Sequence, residues 1–287
     1  LLLFFLTAEV ALSAQKKIND DYLKSYYSVR DGLSQSEVTS ITSDKYGFIW
    51  VGTRGGLNRF DGYRFVSFKP EPTEKNGLKN PSVEKLFTDS KGNIWVGTKS
   101  GGLGIYDVVK DGFLLTDSIK NKFPNRIISF LEDDQGHYWI GSWASGLYEY
   151  TPEDGKVTHY LGNNRISSLF QSSDGTLWAS VSSGLRYKKP GEEQFHSLSL
   201  GSGYREITDM AEESGDSALW LVGWNTGLTR LDLKNFELNY YELPSLGRQK
   251  MNTYCVLLDE QAQLWIGTWG KGLFRFDIKN NSFQKQK

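Results

Sequence analysis

The chain has 287 residues, with 33 basic and 34 acidic side chains and a formal net charge of −1, which excludes the basic footprint of a nucleic-acid or anionic-membrane surface. Its one cysteine, Cys255, excludes an internal disulfide framework and any Cys-based zinc site. The three scattered histidines argue against a His metal site, so no metal and no cofactor are expected.

Residues 1–14, within "LLLFFLTAEVALSAQ", form an apolar run followed by the small residues Ala11, Ser13 and Ala14. They read as the back half of a secretory signal peptide whose start lies in a longer reading frame. The alternative is a buried N-terminal strand, which the abruptly polar "AQKKINDD" disfavours. No later stretch approaches the ~18 apolar residues of a membrane span. Next, "YLKSYYSVRDGLSQSEV" from Tyr22 to Val38 resembles the fourth strand of a unit plus its exit loop, although no first three strands precede it.

From there the chain repeats. Aligned on a recurrent Trp (Trp50, Trp95, Trp139, Trp178, Trp220 and Trp265), the intervals are 45, 44, 39, 42 and 45 residues. A period of roughly 40–45 with Trp and Gly landmarks belongs to propeller blades of four strands. The local period is two, as in "VTSIT" and "YRFVSF", and not that of a helix. Strand A carries Val38, Val83, Ile166 and Ile207. A turn such as "DKYG" or "DSKG" leads into strand B with the Trp; strand C follows a Gly-Leu pair; strand D closes the unit, as in "KVTHYL" and the terminal "SFQKQK". Nine Trp, fifteen Tyr, sixteen Phe and thirty Gly suit that economy of short strands and tight turns. The expected fold is therefore all-β, a β-propeller over residues 15–287 with six repeats visible. The six landmark Trp are core residues packed between blades. Six full units plus the orphan strand point to a seven-bladed ring lacking most of one blade; a six-bladed ring closed by the N-terminal strand is the alternative.

The phrases "DGLSQSEVTSITSDKYGFIWVGTRGGLNRFDGYRFVSF", "DSKGNIWVGTKSGGLGIYD" and "LWIGTWGKGLFRFD" resemble the two-component regulator propeller repeats. The resemblance runs from about Tyr22 to the end and departs most in units four and five, at Ala179-Ser180 and at "SGDSALW". It implies the periplasmic sensor region of a hybrid two-component system, an N-terminal fragment that recognises an oligosaccharide. Its partners would be a second propeller and downstream domains, including a histidine kinase, of a parent protein anchored in the inner membrane. The chain itself is not expected to be an enzyme.

Alternating strand direction places the B–C loops and the D–A connections on one face, around the channel. The fourth residue after each landmark Trp is Arg54, Lys99, Trp143, Ser182, Trp224 and Trp269, a position that varies where its neighbours repeat. Indole rings stack on sugar faces, and Arg or Lys reaches hydroxyl and anionic groups, so these residues are candidate ligand contacts. Arg126, Arg165 and Arg205 in the D–A connections join them. The competing structural account has the extra Trp filling grooves between blades and the Arg paired with acidic residues of adjacent blades. Such a face also suits protein docking, a homodimer included.

A propeller glycosidase or lyase is the remaining alternative. The "D-x-x-G-x-x-W" turns are similar to sialidase Asp boxes but have a different spacing, and no acidic pair stands out from the repeat. Their Asp residues are better read as hairpin caps.

Overall fold

The computed structural model describes residues 25–70, 77–114, 122–201, 206–213, 218–244 and 252–286. Among them are six four-stranded antiparallel sheets, each with its strands in sequence order, the architecture of β-propeller blades. Blade 1 is β1 (Val38–Ser43), β2 (Ile49–Thr53), β3 (Gly56–Phe60) and β4 (Phe65–Phe68); blade 2 is β5 (Val83–Thr88), β6 (Ile94–Thr98), β7 (Leu103–Asp107) and β8 (Gly112–Phe113). Blade 3 is β9 (Ile127–Glu132), β10 (Tyr138–Ser142), β11 (Leu147–Thr151) and β12 (Lys156–Tyr160); blade 4 is β13 (Leu169–Gln171), β14 (Leu177–Val181), β15 (Gly184–Lys188) and β16 (His196–Leu198). Blade 5 is β17 (Glu206–Glu212), β18 (Ala218–Trp224), β19 (Gly227–Asp232) and β20 (Leu238–Tyr241); blade 6 is β21 (Thr253–Leu258), β22 (Gln263–Thr268), β23 (Gly272–Asp277) and β24 (Ser282–Lys285). The chain divides into two compact units, residues 1–127 and 128–287.

Each landmark Trp is where the repeat predicts it, in the second strand, and all six are between 0% and 6% exposed. Within the first unit, Trp50 and Leu57 of blade 1 pack on Val83, Leu86, Ile94, Val96 and Tyr106 of blade 2. Within the second, Trp139 packs with Ile166, Leu177 and Val181 of blade 4; Trp178 with Ile207, Leu219 and Leu221 of blade 5; and Trp220 with Val256, Leu264, Ile266 and Phe274 of blade 6. A Trp truncated at such a site costs about 3–5 kcal/mol. The Gly two residues after the Trp permits this approach: a Cβ on Gly52 would lie 2.6 Å from Val83 Cγ1 of the next blade.

The turn Asp also serves the Trp. Asp44 accepts from the Tyr46 and Phe48 backbone N–H at 2.9 and 3.1 Å, and from the buried Trp50 Nε1 at 2.7 Å. Trp95, Trp139 and Trp265 donate in the same way to Asp89, Asp133 and Asp259, and Trp178 donates to Ser172 Oγ at 3.0 Å. Hairpin capping by the Asp side chain is thus confirmed, with the indole bond added. Blade 5 is the exception. Its turn is altered, Glu213 takes the capping place with its N–H on Ala218 O, and its carboxylate goes to Arg230 Nε at 2.7 Å. Among the described residues, the buried Trp220 Nε1 has no partner.

The N-terminal segment corrects one expectation. Over residues 25–37 there is no fourth-strand pairing; Val29–Asp31 forms a single 3-10 turn. Ser28 and Asp31 make a reciprocal capping box, and Gly32 ends the turn at φ 102°. Local side-chain bonds here outcompete the alternating aromatic pattern. Tyr27 instead packs edge-on against Phe60 and Phe65, and Leu33 is buried beside Ile49 and Val51. Residues 1–14, read as a signal segment, lie outside the described residues.

Candidate functional site at the B–C loop end of the blades

Strand register brings the two sets of candidate positions together. In blade 1, Val38 pairs with Thr53 and Thr53 with Gly56, so the residue entering strand A and the B–C loop share one end of the blade. In blade 5 the alignment is direct: Glu206, just ahead of Ile207, is the cross-strand partner of Trp224. In blades 2 and 6 the backbones bond at the same level, Lys99 N–H to Ser82 O at 2.9 Å and Trp269 N–H to Asn252 O at 3.0 Å. The variable fourth position after the Trp therefore sits beside the variable residue before strand A.

The cations at this end are engaged with carboxylates. Arg54 Nε is 2.8 Å from Glu37 Oε1, with both side chains near half exposed. Arg126 Nη2 is 3.1 Å from Glu84 Oε1, and Glu84 is largely buried. Arg165 Nε is 3.0 Å from Glu206 Oε1, close enough for an ion pair, although the N–H is not aimed at the oxygen. The Arg165 guanidinium carbon instead lies over the Trp143 ring, 3.8 Å from its centroid. Lys99 is exposed, and Arg205 lies outside the described residues. The pairing of Arg126 and Arg165 with strand A glutamates matches the structural account of these residues.

The aromatic residues are distributed differently from the landmark Trp. Trp269 is 62% exposed and Trp143 37%, while Trp224 is half-buried. Trp224 and Trp269 have ring centroids 5.7 Å apart, and Tyr254 joins both at 6.4 and 6.3 Å. Asn252 ties the two blades beneath this cluster: its Oδ1 accepts the Asn225 N–H at 3.1 Å, and its carbonyl accepts the Trp269 N–H. Tyr254 and Asn252 are not among the residues the repeat singles out. Tyr254 is the extra residue of a bulge between Thr253 and Cys255, and a bulge re-aims a side chain in a way that no alternation predicts.

The histidines form no catalytic group at this site. His137 bonds Glu149 at 3.1 Å within blade 3, and His196 lies 3.2 Å from Glu192. His159 Nε2 is 2.6 Å from Ser145 O and the ring stacks on Tyr148. Among the described residues no cluster of three or more His, Cys, Asp or Glu is placed to hold a metal ion, and no helix is long and apolar enough to cross a membrane.

The two-component regulator propeller profile matches residues 32–55, 77–100, 121–144 and 160–183. Each match begins before strand A and ends just past the variable position that carries Arg54, Lys99, Trp143 or Ser182. The chain carries four two-component regulator propeller repeats. Histidine kinase P4 of Formosa agariphila is 43% identical over 65 residues, which is 23% of this chain and 4% of that protein. The extracellular domain of the hybrid two component system BT3049 from B. thetaiotaomicron superposes with a TM-score of 0.77 at 20% identity, over 92% of this regulator propeller and 36% of that chain. A streptogramin B lyase shares the fold at a TM-score of 0.66 and 18% identity, over 89% of this chain and 85% of its own. The propeller thus spans about a third of the BT3049 domain and a small fraction of the kinase.

Proposed function

We propose that this propeller is the extracytoplasmic, periplasmic sensing part of a two-component signalling protein. It recognises an oligosaccharide at the B–C loop end of its blades and biases a histidine kinase carried elsewhere in the parent. The observation that carries this reading is the Trp224–Tyr254–Trp269 cluster. Trp269 and Tyr254 are too exposed to serve as core, in contrast to the landmark Trp, and with the half-buried Trp224 they converge from two blades onto one surface. Amphipathic rings with amide groups beside them bind the apolar face and hydroxyl edge of a sugar. The ion pair of Arg165 with Glu206, the cross-strand partner of Trp224, favours a neutral glycan over an anionic one. A membrane-bound parent and a second propeller follow from what such systems contain.

The test is titration with plant and host oligosaccharides, followed by tryptophan fluorescence. Saturable binding by one glycan, lost in Trp269→Ala at an unchanged melting temperature, is expected. A folded protein that binds none of them but captures a polypeptide through the same rings would replace this reading with protein docking, since Trp and Tyr also mark such interfaces.

A further inference from the structure

The flat groups at this end do not stop at the Trp224 cluster. Of the four blades in residues 128–287, only blade 4 lacks a Trp at the fourth position after its landmark; it carries the exposed Ser182. Arg165, at the entry to that blade, lies next to the gap. Its guanidinium is over the Trp143 ring of blade 3, at 3.8 Å, and 3.0 Å from Glu206 of blade 5. Glu206 is in turn the register partner of Trp224, whose ring neighbours that of Trp269. Blades 3 to 6 thus present Trp143, Arg165, Trp224 and Trp269 in succession, one planar group per blade, each partly exposed.

We infer that the ligand is an oligomer of ring units long enough to lie along this row, with Arg165 as a stacking platform held in place by Glu206, an inference that rests on the oligosaccharide reading above. A guanidinium is planar and weakly hydrated and stacks as an aromatic ring does. The Glu206 carboxylate cancels its charge, so the platform does not demand an anionic ligand. A single sugar ring needs only the Trp224–Tyr254–Trp269 cluster. A row with one flat group per repeat suits a ligand that itself repeats, as successive aromatic platforms suit the successive bases of a single strand. The site therefore reads chain length: short oligomers occupy the cluster and longer ones reach Arg165 and Trp143.

The experiment is calorimetric titration of the chain with the cello-, xylo- and malto-oligosaccharide series, each from two to six units. Binding by one series, with affinity rising with length, is expected. Trp269→Ala weakens every length by about tenfold. Trp143→Ala, and Arg165→Lys, which keeps the charge opposite Glu206 but removes the plane, weaken only the longer members and leave the melting temperature unchanged. If the dimer and hexamer bind equally, or Trp143→Ala leaves the hexamer unaffected, the ligand is confined to the cluster. The inference then fails while the sensing reading stands. If no member of any series binds, both fall.

Discussion

The bond between the turn Asp and the landmark Trp gives the sharpest test of how the blade is held. Asp44→Ala removes the acceptor of three donors: the Tyr46 and Phe48 N–H of the hairpin and the Nε1 of a Trp that is fully buried. A buried donor left unpaired costs about 1–3 kcal/mol, and each partly solvated hairpin bond adds roughly 0.5–1. The sum, about 2–5 kcal/mol, corresponds to a melting temperature lower by roughly 3–8 °C for a chain of this size. Asp89→Ala should behave alike, because Asp89 accepts from Trp95 Nε1 and from the Asn93 N–H. Glu213→Ala in blade 5 is the control. Its carboxylate bonds Arg230 and not the Trp220 indole, so what disappears is one partly exposed ion pair. That change should cost no more than about 1 kcal/mol. Urea unfolding of the three variants decides the matter. If Glu213→Ala were as damaging as Asp44→Ala, the indole bond would not be what the turn carboxylate contributes.

Trp269→Ala should alter stability by only about 0.5 kcal/mol, whereas Trp265→Ala, four residues earlier and 6% exposed, should cost about 3–5, as thermal melts will show. Gly52→Ala should destabilise by about 1–3 kcal/mol, because its Cβ would meet Val83 Cγ1 at 2.6 Å; a loss that disappears when Gly52→Ala is added to Val83→Ala, measured against Val83→Ala alone, would locate the clash. Tyr160, pushed up to about 12 chiefly by burial and then by its bond to Glu149, contributes stability below its ordinary value of 10.0. That contribution is lost as pH rises from 10 towards 12, and Tyr160→Phe should flatten this part of the stability–pH curve.

The sequence makes blade architecture legible because packing and turn geometry recur in every copy. A buried Trp and a Gly at positive φ before strand C recur in all six blades, and Gly52 and Gly141 each lie under the next blade's strand, so the pattern rises above the background. The described N-terminal segment shows the opposite situation. Ser28-x-x-Asp31 is a readable capping box, yet the alternating Tyr and Val around it carry an equally good strand pattern; which wins depends on Tyr27 finding Phe60 and Phe65, more than thirty residues away. The candidate site divides along the same line. Trp143, Trp224 and Trp269 stand out because they vary at a repeated position. Tyr254 does not, since its placement depends on a bulge. The partners of Arg126 and Arg165 are likewise hidden: one pairs with the strand A Glu of an earlier repeat and the other with that of a later one.

This division also explains how such a propeller changes ligand without losing its fold. The residues that hold each blade to the next, such as Trp50 with Val83 or Trp220 with Ile266, lie within the strands and share no atoms with the loop row. In the second unit the row touches the frame chiefly through Glu206 and Asn252, each at the entry to a strand A whose next residue, Ile207 or Thr253, is fully buried. Occupation of the row therefore acts first on those two entries. A ligand that draws Arg165 off Glu206 leaves a largely buried carboxylate at the start of β17, a penalty of about 1–3 kcal/mol that repositioning of β17 would relieve. That strain is the kind of local event that biases a two-state element. Glu206→Gln, which pre-empts it and loosens the Arg165 platform, should spare short glycans at the Trp224–Tyr254–Trp269 cluster, weaken longer ones and alter hydrogen exchange along β17; unchanged exchange on adding glycan to the unsubstituted chain would show that the row binds without moving the strand.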